Sequence, residues 1–130
     1  MAQIKIPKEK VAIVLIEPQN DFLSEGGTMY AHIKEQLAER HVIANLQDLL
    51  EKARGQVAKI FYCPFHPFDP GFPELKKDGP ACEGLRGIEM DMEADWGTGA
   101  WLRGTPGPEI IKELTPQPGD VVVEGKKTLD

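Results

Sequence analysis

The sequence predicts an α/β domain built on a mainly parallel sheet with flanking helices, and three observations in its first half carry that expectation. Val11 to Ile16 is a continuous run of β-branched and aliphatic residues, the pattern of a strand buried on both faces. Val42, Ile43, Leu46, Leu49, Leu50 and Ala53 recur at helical spacing and make one apolar face. Val57 to Cys63 is a second short apolar run, entered through Gly55, which stands where a helix C-terminal glycine belongs. Strand, helix, strand is the order of a crossover between parallel strands.

The remaining elements follow in chain order. The first strand stops at Glu17-Pro18, and a turn region holding Gly26-Gly27 precedes the helix. Residues 64–106 show no strong period and carry many of the prolines; a structureless stretch of that length is unusual in a compact domain and is often functional. Pro106-Gly107-Pro108 introduces a short helical stretch, Glu109 to Leu114, with proline near the first turn, where its missing N–H matters least. Pro116 prevents continuation, and Gly119-Asp120 marks a turn into a third buried strand, Val121 to Val123, which exits at Glu124-Gly125-Lys126-Lys127. Three strands with two helices leave a sheet thinly covered, so residues 1–130 are expected to be a single domain, incomplete at its C-terminal side.

Composition narrows the partners. With 130 residues, 15 basic against 21 acidic and a formal net charge of -6, the chain lacks the basic footprint of a nucleic-acid binder or of a protein drawn to an anionic membrane. Its longest apolar run is far shorter than the roughly 20 residues that cross a bilayer. No apolar stretch of signal-peptide length follows the charged N-terminus, so a cytoplasmic protein acting on a small molecule is expected. Cys63 and Cys82 lack the spacing of zinc or redox motifs and are read as free thiols.

Ligands of open α/β sheets sit beyond the carboxyl ends of the strands, which directs attention to Glu17, to Cys63 and His66, and to Lys126. A carboxylate and an ammonium converging there would offset each other's desolvation and lower the carboxylate's pKa. Charged residues also stand at strand ends simply because the chain is leaving the core, so position alone leaves both readings open.

Two segments tip the balance: Ile16 to Gly27 (IEPQNDFLSEGG) and Trp96 to Lys127 (WGTGAWLRGTPGPEIIKELTPQPGDVVVEGKK). From about residue 10 onward the ordered set of acid-x-Q-N-D-F, Gly-Gly, a strand reaching His66, G-T-x-G, G-D-x-V-V and a lysine resembles the isochorismatase-like cysteine hydrolases. These include nicotinamidases, carbamoylsarcosine amidohydrolases, ureidoacrylate hydrolases and isochorismatases. The resemblance implies a Rossmann-like, doubly wound sheet of about six strands and a triad of acid, lysine and cysteine.

The acid falls at Glu17, where the family usually has aspartate. The lysine falls at Lys126, with Lys127 the adjacent alternative, since neighbours on an extended segment face opposite sides. The nucleophilic cysteine would lie beyond residue 130, so residues 1–130 alone are expected to be inactive. Phe22, His66 and Trp96 are the expected substrate-binding residues, with Phe65, Phe68 and Trp101 as further apolar walls. Asn20 and Asp21 are expected to fix the turn after the first strand. His66-Pro67 resembles the metal loop of nicotinamidases, but Pro64 stands where that loop has aspartate. His32 and His41 lie upstream, so no metal and no cofactor is expected. The resemblance also implies a homo-oligomer. The implied activity is hydrolysis of a small amide, ureido or related C–N carbonyl compound. A non-catalytic binding or scaffold protein and an enol-ether hydrolase are the alternatives.

Overall fold

The computed structural model describes residues 5–73 and 90–125. Strands β1 (Ala12–Ile16), β2 (Lys59–Cys63) and β5 (Val121–Val122) form a parallel sheet in the order β1-β2-β5. Between β1 and β2 run three helices, α1 (Asn20–Leu23), α2 (Tyr30–Glu39) and α3 (Val42–Ala53). A short antiparallel hairpin, β3 (Glu93–Ala94) with β4 (Gly97–Thr98), lies in the long segment before β5. This is the α/β, Rossmann-like arrangement that the sequence predicts. Among the described residues no helix is long and apolar enough to cross a membrane.

Helix α3 forms where the apolar spacing places it, and it ends at Arg54 ahead of Gly55, whose φ of +74° is the left-handed geometry glycine adopts without strain. Its apolar side and the segment around Ile111 and Leu114 cover one face of the sheet. There Leu15, Leu50, Ile60, Tyr62, Ile111 and Leu114 form the main core. A second core of Phe65, Phe68, Phe72, Ala100 and Trp101 sits beyond the carboxyl end of β2. The described parts of the stretch 64–106, which is aperiodic in sequence, are thus held together by aromatic packing: Phe65 stacks on Trp101 with centroids 4.9 Å apart, and Phe68 meets Phe72 at 5.4 Å.

Four expectations need correction. The first strand is covered on one face only: Val14 and Ile16 are 53% and 64% exposed, because no described layer packs against the Ala12, Val14 and Ile16 side. The third strand is not buried either. Among the described residues it pairs with β2 alone, and Val122 and Val123 are each 39% exposed. Residues 109–114 do not make a helix. Ile110 bridges Gln19 in antiparallel fashion and the Ile111 N–H donates to the Pro18 carbonyl, so only one 3-10 turn, Lys112–Leu114, remains. Finally, α2 has no counterpart in the sequence reading, because its apolar stripe of Tyr30, Ile33 and Leu37 is thin and none of its residues is fully buried. It reaches α3 through His41, a non-glycine residue at φ +47°.

Candidate active site

The carboxyl ends of β1 and β2 lie side by side, since Ile16 registers with Cys63 and the Glu17 N–H donates to the Cys63 carbonyl at 3.0 Å. Glu17 is half-buried and adopts φ +53°. A left-handed backbone costs an ordinary L residue roughly 1–2 kcal/mol relative to its preferred regions. Pro18 follows and narrows the choice further by disfavouring helical backbone at the residue before it. The chain therefore holds a carboxylate where glycine would fit with less strain, in the place where α/β folds put their ligands.

The residues after Glu17 act as internal posts. Gln19 is fully buried, and its amide grips the backbone of Phe65 at both ends: Oε1 accepts from the Phe65 N–H at 2.7 Å and Nε2 donates to the Phe65 carbonyl at 2.9 Å. The same Nε2 donates to the Pro108 carbonyl at 2.7 Å. One side chain thereby ties the exit of β1 to the exit of β2 and to the segment leading into β5.

Asp21, also fully buried, accepts from the Trp101 N–H at 2.8 Å through Oδ2 and from the Thr28 hydroxyl at 3.0 Å through Oδ1. Asn20 donates to the Pro106 carbonyl at 2.8 Å. Asn20 and Asp21 thus do fix the turn after β1, but they reach far beyond it and anchor residues 101–107 as well. Gly107 packs directly on the Asp21 carboxylate, with only 2.7 Å from Asp21 Cγ to the place a Cβ would occupy. The Q-N-D order and the G-T-P-G turn are two halves of one contact.

A cleft of about 300 Å³ opens at the carboxyl ends of β2 and β5, lined in part by Phe65, His66, Arg103, Val123 and Glu124. That is the lower end of the size range of small-molecule pockets. Of the three expected substrate-binding residues, His66 is on its wall. Phe22 instead packs on Trp101, with centroids 5.3 Å apart, at the edge of the aromatic core. Trp96 sits in the β3–β4 turn, half-buried, and its buried indole N–H has no hydrogen-bond partner among the described residues. Cys63 is a half-buried free thiol; Lys126, Lys127 and Cys82 lie outside the described residues. Arg103 and Glu124 carry no signal that sequence reasoning singles out, because only folding brings them to one cleft.

A larger cleft, about 530 Å³, lies between α3 and residues 112–117 and shares no lining residue with the strand exits. Nearby, Arg54 donates to Asp120 at 2.9 Å and to the Tyr62 hydroxyl at 3.3 Å. Burial pushes the Tyr62 phenol above its ordinary pKa; Arg54 opposes that shift and Asp120 adds to it. Among the described residues, no group of three or more His, Cys, Asp or Glu side chains is placed to hold a metal ion.

The isochorismatase domain model matches residues 11–130. Among solved structures, the chain is similar to an isochorismatase family protein from Desulfovibrio vulgaris subsp. vulgaris str. Hildenborough. That match has a TM-score of 0.57 and 22% identity, and covers 90% of this chain and 53% of the other. A cysteine hydrolase from Pseudomonas syringae pv. phaseolicola 1448A gives a TM-score of 0.57 at 20% identity, over 94% of this chain and 48% of the other. An isochorismatase-like hydrolase from Alkaliphilus metalliredigens gives 0.56 at 21%, over 90% and 52%. The chain spans about half the length of these structures, and at such identities the likeness is one of fold. Comparison with curated proteins gives no match.

Proposed function

Since the chain belongs to the isochorismatase domain family, we propose that it forms the acid-bearing half of a cysteine-dependent hydrolase of small amide, ureido or related C–N carbonyl compounds. The observation that carries this reading is Glu17, kept at φ +53° at the carboxyl end of β1 where a left-handed turn alone would favour glycine.

In this scheme Glu17 removes the proton of a cysteine supplied by sequence following residue 130. The thiolate attacks the substrate carbonyl carbon, forming a C–S bond and an oxyanion. As the C–N bond breaks, the protonated Glu17 returns the proton to the leaving amine. A water molecule then attacks the thioester, Glu17 takes one of its protons, and cleavage of the C–S bond releases a carboxylic acid and the thiolate. Lys126 pairs with Glu17 and supports the negative charge that develops on the carbonyl oxygen. His66 lines the substrate cleft, and the assembly works as a homo-oligomer without a cofactor.

The test uses the protein from its native source: intact mass, iodoacetamide labelling at neutral pH, and ammonia release from a panel of small amides and ureas. A mass above 14.4 kDa, one rapidly alkylated cysteine other than Cys63 and Cys82, and ammonia release lost in Glu17→Gln are expected. A protein with no fast-reacting thiol and no turnover on any amide or urea refutes the scheme. The glutamate in place of the family's aspartate would then mark a non-catalytic relative.

A further inference from the structure

The apolar residues of β5 carry almost no register information of their own. Val121 stands opposite Phe61 and Val122 opposite Tyr62, and the Val123 N–H donates to the Tyr62 carbonyl at 2.8 Å. A slip of one residue would bring Val122 opposite Phe61 and Val123 opposite Tyr62, so each partner would meet the same kind of side chain as before. Register is ordinarily set by the apolar pattern or by a tight turn. Here the pattern is three valines, two of them 39% exposed, and a parallel strand arrives by a crossover rather than from a hairpin.

Polar contacts at the entry to β5 break this degeneracy. Asp120, directly before Val121, has a side chain only 7% exposed. Its Oδ2 accepts from Arg54 Nη2 at 2.9 Å and from the Gln117 N–H at 2.9 Å. The same Nη2 donates to the Tyr62 hydroxyl at 3.3 Å, so Arg54, at the end of α3, joins the entry of β5 to a residue that β5 pairs with. A slip would carry Asp120 about 3.3 Å along the sheet and turn its side chain to the face away from Arg54. Two charges would then lose their partners. As a source of stability the pair is poor: Arg54 Nε is buried with no hydrogen-bond partner among the described residues, and desolvation offsets much of such a pair's attraction.

We propose that Arg54 and Asp120 are positioning residues that lock the register of β5 on β2 and thereby place Val123 and Glu124 on the wall of the cleft. The lock itself is independent of the hydrolase scheme; its bearing on substrate rests on the reading of this cleft as the substrate site.

The test is NMR of the isotope-labelled protein in its native length, with register read from cross-strand NOEs between β2 and β5. The double variant Arg54→Met with Asp120→Asn removes both charges and keeps an acceptor for the Gln117 N–H. It is expected to leave the urea midpoint nearly unchanged while adding a second set of amide resonances for residues 121–125, at roughly a tenth of the total intensity or more, with NOEs joining Phe61 to Val122. Asp120→Asn alone keeps the shape of the turn and should show the same second set more weakly; it decides the matter if the double variant does not fold. Arg54→Lys retains the charge pair and should keep one register, and two registers there would deny that the pair is the lock. A single wild-type register in the variants that carry Asp120→Asn overturns the proposal, whatever their stability. Because no turnover is read, a failure of the hydrolase scheme leaves these outcomes untouched.

Discussion

Replacing Glu17 separates backbone strain from side-chain chemistry. Glu17→Ala and Glu17→Gly both remove the carboxylate and everything it touches, so those losses cancel when the two variants are compared with each other. What remains is the backbone at φ +53°. Alanine retains the left-handed penalty of roughly 1–2 kcal/mol, whereas glycine escapes it but gives up roughly 0.5–1 kcal/mol through the extra freedom of its unfolded chain. The glycine variant should therefore be the more stable by about 0.5–1 kcal/mol. With a urea slope of about 1–3 kcal/mol per molar for a small domain, that is a rise of roughly half a molar in the unfolding midpoint at unchanged slope. Neither variant should support turnover in the native protein. A glycine variant no more stable than the alanine variant would mean that the native backbone at residue 17 is unstrained, and the argument that the carboxylate is kept there against a conformational cost would fail.

Three further outcomes follow from the same contacts. Gln19→Ala leaves the Phe65 N–H, the Phe65 carbonyl and the Pro108 carbonyl without their buried partner; about 3 kcal/mol of stability should be lost in urea titrations, and a loss below 1 kcal/mol would deny the clamp. Gly107→Ala drives a methyl into the Asp21 carboxylate and should cost about 2 kcal/mol or more, with Trp101 fluorescence altered because its N–H shares that carboxylate; an unshifted thermal midpoint would contradict the contact. Tyr62→Phe tests linkage. With the native phenol raised above its unfolded value, the native state binds more protons through the window that opens at about pH 10. That contribution is whole below the unfolded pKa and is lost as pH rises through the folded one. Wild-type stability should thus fall more steeply from there upward than that of the phenylalanine variant, and parallel curves would refute it.

What could be read from the sequence follows what each pattern encodes. α3 was legible because burial on one side writes a helical period into its twelve residues, and β1 and β2 because each is a short apolar, β-branched or aromatic run. The parallel pairing was legible because a helix lies between the strands. The run VAIVLI misled about its second face, since a continuous apolar strand records an environment meant to be dry, while the described layers cover one side only. Helix α2 wrote only a faint period, because Tyr30, Ile33 and Leu37 are a thin apolar stripe and none of its residues is fully buried. The aromatic core of residues 65–101 was illegible for another reason: its members meet across tens of residues at no fixed spacing.

The same distinction explains why the motif was easier to recognise than to understand. In I-E-P-Q-N-D-F the eye goes to the acids, yet Asp21 is fully buried and spent on backbone donors, while Glu17 is half-buried at the strand exit. Two carboxylates four residues apart have opposite assignments, and neither composition nor spacing separates them. Burial with matched donors makes Asp21 a post; Glu17, half-buried on a strained backbone at the mouth of the sheet, is the residue to which the proposed scheme gives the chemistry. Gln19 stands between them and holds the loop carrying His66 at a fixed distance from that mouth. The backbone that forms the cleft is tied at Phe65 and Pro108 by an uncharged amide inside the protein, not on the cleft wall.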